Sequence, residues 1–200
     1  EPSGRLKDPE KIAADVQAKK QEQTQNMALS PFTGRVCAFA LANETTAVSD
    51  HVRDLSKKAE ISLLSHIREI LQGTSKEQPN IVTFNGMAFD LPFIYGRMML
   101  LKMAVPFMPL AYWCKRYTDK PHCDLRMLLG NWDPRAKGSL DFYGKMVLGV
   151  EKDEPDYSEF LDLVKEGRGK IISDSCLQHT QLTYDIYRRI KPYYLTSFYR

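Results

Sequence analysis

Asp90 stands four residues after an Asn-Gly pair, in the run Ile81-Val82-Thr83-Phe84-Asn85-Gly86-Met87-Ala88-Phe89-Asp90-Leu91-Pro92. The first four residues predict a short strand buried on both faces, the Asn-Gly pair stops it, and a helix is expected from about Phe89. Strand ends in open α/β sheets are where ligands gather. A carboxylate beside the positive end of a helix stays ionised, which a Mg²⁺ ligand requires. The same carboxylate can equally do nothing beyond stabilising the helix dipole, and the residues alone leave both readings open. Asp124 has a similar pair of readings, an active-site acid or the N-cap of a helix over 125–129. His122 reads as a hydrogen-bonded structural side chain rather than a ligand. Tyr112, Trp113 and Tyr117, interleaved with Lys115 and Arg116, could stack on and clamp a single nucleic-acid strand, or could plug a core. His179 is neutral near pH 7 and suits softer metals than Mg²⁺.

These side chains need elements to position them. Asp8-Pro9-Glu10 combines a capping Asp, Pro at the first helical position and an acid in the first turn, so a helix is expected from there to about Met27. Its sparse apolar positions predict an exposed helix packed along one narrow stripe. Ser30–Gly34 reads as a turn, Arg35–Leu41 as a strand, and Asn43-Glu44 as a link to a second strand at Thr45–Val48. Ala59, Ile61, Leu64, Ile67, Ile70 and Leu71 set a helical period over 57–72, closed by Gly73. Residues 104–121 contain Pro106, Pro109 and Pro121 and read as irregular. Shorter helices are expected near 124–129, 139–148 and 157–165. A last helix over about 170–190 carries Ile172, Cys176, His179, Thr183, Ile186 and Ile190 on one face. Strands early, helices late and alternation between them predict an α/β domain with a mixed sheet.

Composition excludes several classes. In 200 residues, 43% are hydrophobic and 26% charged, and the net charge is +3, an ordinary balance that rules out wholesale disorder. The length favours one domain with at most a small appendage. No apolar run approaches the roughly 20 residues of a membrane-spanning helix, and no secretory signal opens the chain. Cys37, Cys114, Cys123 and Cys176 lie far apart and read as reduced cytosolic thiols. Glu1 in place of Met predicts residues upstream.

Asn85-Gly86-x-x-Phe89-Asp90-Leu91-Pro92 resembles the second exonuclease motif of the DEDD (DnaQ-like) 3′–5′ exonucleases, and is most similar to the kind in family B DNA polymerases and related stand-alone enzymes. Leu6–Ile12 and Met27–Cys37 resemble segments of phage-type members. Pro121-His122-Cys123-Asp124-Leu125 resembles the His-x-Asp-Leu element after the second motif, and Ser139-Leu140-Asp141 the helix beyond it. The resemblance implies a ribonuclease-H-like fold, α/β with a central mixed sheet flanked by helices, over 31–200. Residues 1–30 would be a lead-in and exposed helix. It also implies removal of nucleotides from DNA 3′ ends by two-metal phosphodiester hydrolysis, with acidic side chains holding Mg or Mn. On that reading Asp90 holds metal, Asn85 orders the strand end, and Phe89 packs at the terminal nucleotide. Tyr112, Trp113, Lys115 and Arg116 contact the strand, and Asp124 and His179 take the other catalytic positions. Partners would be single-stranded DNA or DNA 3′ ends and a replication protein, in the cytoplasm of a bacterial or phage-infected cell.

The departures from the family pattern matter as much. The first motif, a central strand bearing Asp-x-Glu, would precede Leu6 and is not in the chain. Ala42-Asn43-Glu44-Thr45 imitates it with Ala42 where the Asp belongs. The third motif, Tyr-x-x-x-Asp, aligns with Ser175 and His179 and keeps the one-turn spacing with both functional groups changed. The sheet is therefore expected to be incomplete near its middle, and the rival reading is a catalytically degenerate domain that binds DNA or a partner protein.

Overall fold

The computed structural model describes residues 8–73, 80–104, 108–133, 135–150 and 159–195. Two compact units divide the chain, Glu1–Arg35 and Val36–Arg200. In the first, α1 (Pro9–Ala28) opens on the cap the sequence predicts: Asp8 Oδ1 accepts the Glu10 N–H at 3.0 Å, with Pro9 in the first turn.

The second unit begins with a hairpin of β1 (Ala38–Ala42) and β2 (Ala47–His51), antiparallel, with Phe39 opposite Asp50. The turn forms because Asn43 Oδ1 accepts the N–H groups of Thr45 and Thr46 at 2.9 and 2.8 Å, an Asx turn that substitutes for backbone bonding. Helix α2 (Lys57–Gly73) follows, then β3 (Ile81–Thr83), α3 (Asp90–Leu100), α4 (Leu110–Trp113), β4 (His122–Asp124), α5 (Leu125–Leu129), α6 (Leu140–Leu148), α7 (Phe160–Lys165) and α8 (Gly169–Tyr194). β3 and β4 pair in parallel, Thr83 opposite Asp124. β4 lies where a loop leading into a helix was expected; three residues are too few to show a strand period, and pairing with β3 decides their conformation.

Helix α8 organises the unit. Near its start Ile172 joins Phe39, Val52, Leu64 and Ile67 in one core cluster. Farther along, Leu182, Ile186 and Ile190 close a second cluster with Cys123 and Leu125. The helix packs against β1, β2 and β3. Between β1 and β3 there is no ladder, so the mixed sheet is split into two pairs, β1–β2 and β3–β4, among the described residues. Bonds from Val52 N–H to Cys37 C=O and from Asn43 N–H to Thr46 C=O set the hairpin register. That register turns the backbone groups of Ala38, Ala40 and Ala42 away from β2. Likewise the Ile81 N–H bonds to Pro121 C=O, which turns Val82 away from β4. Ala40 C=O accepts the Thr180 hydroxyl at 3.4 Å. The run 81–84 was expected to be buried on both faces, as an internal strand is, but β3 is paired on one side only among the described strands, and its residues are half-buried, with α8 packed against it.

Candidate functional site

The strand end at Thr83 turns through Asn85 and Gly86 into α3. Asn85 takes a left-handed conformation (φ 68°), which Asn tolerates better than most residues. Its carbonyl accepts the N–H groups of Ala88 and Phe89 at 3.1 and 3.0 Å, and Gly86 C=O accepts from Leu91 at 2.9 Å. A Cβ on Gly86 would come within 2.6 Å of Thr83 Cβ, so the tight turn requires glycine here. Thr83 Oγ1 accepts the Gly86 N–H at 3.1 Å and lies 2.8 Å from His122 Nε2. His122 Nδ1 faces the Trp113 carbonyl at 3.0 Å, so that nitrogen carries the proton and Nε2 accepts from the Thr83 hydroxyl. The ring is buried, and desolvation lowers its pKa, keeping it neutral. His122 is thus the hydrogen-bonded structural residue that the sequence suggested.

Asp124 is the anchor of this turn. It caps α5, Oδ1 accepting from the N–H groups of Arg126 and Met127 at 3.1 and 3.4 Å. The same carboxylate reaches across to the loop: Oδ1 accepts the Asn85 N–H at 2.9 Å and Oδ2 the Met87 N–H at 2.8 Å. With 1% exposure and most of its lone pairs committed, it is a positioning residue. Arg126 then fixes the Asn85 side chain, donating to its Oδ1 at 2.8 Å and to Ala136 C=O at 3.2 Å. Sequence reading missed Arg126; its place two residues beyond a capping Asp was the available signal.

Asp90 opens α3 and is exposed, next to exposed Phe89, whose ring lies 5.6 Å from that of Phe93. Partial desolvation by surrounding protein, helped by the negative charge of Asp124, raises the Asp90 pKa against a backbone hydrogen bond that lowers it. Trp113 leaves the list of strand-contacting residues. It is 2% exposed, and its Nε1 donates to the Tyr95 hydroxyl at 2.9 Å, so it plugs the core. Tyr112 is half-buried and edge-on to Trp113 at 5.3 Å, with Lys115 Nζ 5.2 Å from its ring centroid. Lys115 and Arg116 are exposed. On α8, Ser175 is buried and His179 half-buried, one turn apart, and the Thr183 hydroxyl donates to His179 C=O at 2.8 Å.

A family model described as a predicted 3′–5′ exonuclease related to the exonuclease domain of PolB matches residues 29–195. The chain belongs to this exonuclease family. It is also 29% identical to DNA polymerase 1 of Sulfolobus acidocaldarius, over an alignment that covers 81% of this chain and 19% of the polymerase. The chain therefore spans about a fifth of that relative. Its α/β architecture is consistent with the ribonuclease-H-like exonuclease fold.

Exonuclease domains of this family generally use divalent metals, and the residues here can be tested against that need. Among the described residues, no three His, Cys, Asp or Glu side chains come together as a metal site. Asp90, Asp124 and His179 thus do not form one ligand set, and Asp124 is already consumed by backbone donors. Asp90 remains as the accessible carboxylate at the turn. One such ligand does not fit a pair of divalent cations, which needs several anionic groups converging on both.

Proposed function

We propose that this chain is a 3′–5′ exonuclease-type domain that holds the 3′ end of single-stranded DNA at the Asn85–Asp90 turn, and that its described residues alone do not carry out hydrolysis. The observation that carries this reading is the commitment of Asp124 to four backbone N–H groups, which leaves Asp90 as the carboxylate free to face a ligand. Exposed Phe89, beside it, suits packing against a terminal nucleotide. The domain proper comprises residues 31–200, a boundary supported by the family match from residue 29. The test is digestion of a 3′-labelled single strand with Mg²⁺ and then Mn²⁺, by the 200-residue chain and by Asp90→Ala. No digestion above background is expected, with the strand still bound. Robust digestion that vanishes in Asp90→Ala would overturn the reading.

The open edges of β1 and β3 favour a second reading. A further strand bearing two acids, lying between them, would complete both the sheet and a cation site. In that case an Asp-x-Glu strand supplied as an N-terminal fusion, combined with His179→Asp, restores digestion that Asp90→Ala abolishes. If the fused form stays inactive with its sheet complete, the first reading stands.

A further inference from the structure

Trp132 played no part in the sequence reading, yet it meets Tyr117 on the surface. Their ring centroids are 5.4 Å apart and the planes tilt by 46°. Tyr117 is 74% exposed, a high value for an aromatic side chain that could have been buried. Trp132 is half-buried, and hydrogen bonds to its backbone help to fix the pair. Arg116 donates from its guanidinium to Trp132 C=O at 3.0 Å and lies 5.5 Å from the Tyr117 ring centroid. The Trp132 N–H bonds to Met127 C=O at 2.7 Å. Tyr117, Asn131 and Trp132 all have positive φ (62°, 51° and 62°), a conformation that disfavours bulky side chains, so the surrounding bonds hold this backbone against local preference.

Two tethers join this pair to the Asn85–Asp90 turn. Cys114 Sγ donates to Met87 C=O at 3.7 Å, and Arg126 bridges Asn85 and Ala136, on the segment that carries Trp132. The charge is local too. Residues 112–137 contain six Lys and Arg against three Asp, which accounts for the net +3 of the whole chain. Of those aspartates, Asp124 is buried and Asp133 pairs with Arg135 at 3.1 Å. An exposed tyrosine ring backed by a half-buried tryptophan, beside a guanidinium in a positive field, suits unstacked bases on a phosphate backbone. A duplex hides its base faces and suits the rings poorly.

We infer that Tyr117 and Trp132 form a base-stacking platform that seats single-stranded nucleic acid beside the Asn85–Asp90 turn. This rests on the reading of that turn as the 3′-end site. The test is fluorescence anisotropy of a labelled oligothymidylate of about 12 nucleotides, within the usual site sizes, in EDTA so that no strand is cut. An abasic strand of equal length and a duplex serve as comparisons. The chain should bind oligothymidylate about tenfold or more tightly than the abasic strand. Tyr117→Ala should remove most of that difference and leave abasic binding unchanged. Tyr117→Phe and Trp132→Phe, which keep a ring, should bind like the parent. Oligothymidylate binding that is insensitive to Tyr117→Ala, or equal for abasic strand or duplex, overturns the platform and leaves the 3′-end reading intact. No binding of any strand overturns both.

Discussion

At the scale of single residues, the site depends on two buried polar groups, Asp124 and His122, bonded to the surrounding protein. Asp124 joins a helix cap and a loop anchor in one carboxylate. Asp124→Asn keeps the shape, removes the charge and turns an amide donor toward backbone N–H groups. Stability should fall by about 1.5–3 kcal/mol, the range for a charge-assisted hydrogen bond, read from urea unfolding. Oligonucleotide binding should weaken as the 85–87 turn loosens. His122 makes a prediction about pH. Its folded pKa lies below the usual value because burial disfavours the charged ring. The unfolded chain therefore takes up a proton as pH falls through about 6.5, while the folded chain does so only at lower pH. Stability is fully present above that range and declines below it. Melting temperature measured from pH 7.5 to 5 should fall, and fall less steeply in His122→Gln; equal slopes would show that the ring does not contribute.

Among elements, the contact between α2 and α3 is an ion pair inside an apolar core. Arg97 Nε donates to Glu60 Oε1 at 2.7 Å, and its Nη2 to Oε2 at 2.8 Å. Glu60 Oε1 also accepts the Val36 N–H at 3.1 Å, tying in the chain just before β1. Both side chains are buried, and bonding to Glu60 raises the Arg97 pKa. Since α3 carries Asp90 at its first residue, this pair sets where that carboxylate emerges. Arg97→Met should cost about 3–5 kcal/mol by leaving Glu60 charged and buried. The double change Glu60→Leu with Arg97→Met should recover most of the loss. If the double variant is no more stable than the single one in chemical denaturation, the cost lies in packing rather than in the orphaned charge.

For the second unit as a whole, the decisive feature is a long helix that packs on two strand pairs which, among the described residues, do not pair with each other. Backbone groups of Ala38, Ala40, Ala42 and Val82 face out of their ladders, and such edges invite another strand. Hydrogen exchange of the isolated chain should show these four amides exchanging faster than Phe39 and Leu41, which face β2. Equal protection on both sides of β1 would mean that the edge is already covered. No helix among the described residues is long and apolar enough to cross a membrane.

Much of this was readable in the sequence, because it is local chemistry. The Asp8-Pro9 cap, the period of α2, the Asn-Gly stop after β3 and the face of α8 depend on side chains a few residues apart, and all appear at or within a few residues of their expected places. The motif around Asp90 was readable for the same reason, and with it the exonuclease family. Only tertiary structure could assign Asp124, since its choice between metal and backbone depends on a loop 37–39 residues away. It also moved Trp113 from surface to core through Tyr95, and brought Trp132 up to Tyr117. Contacts between residues distant in the chain follow from how strands and helices close over one another, and no local spacing encodes that closure.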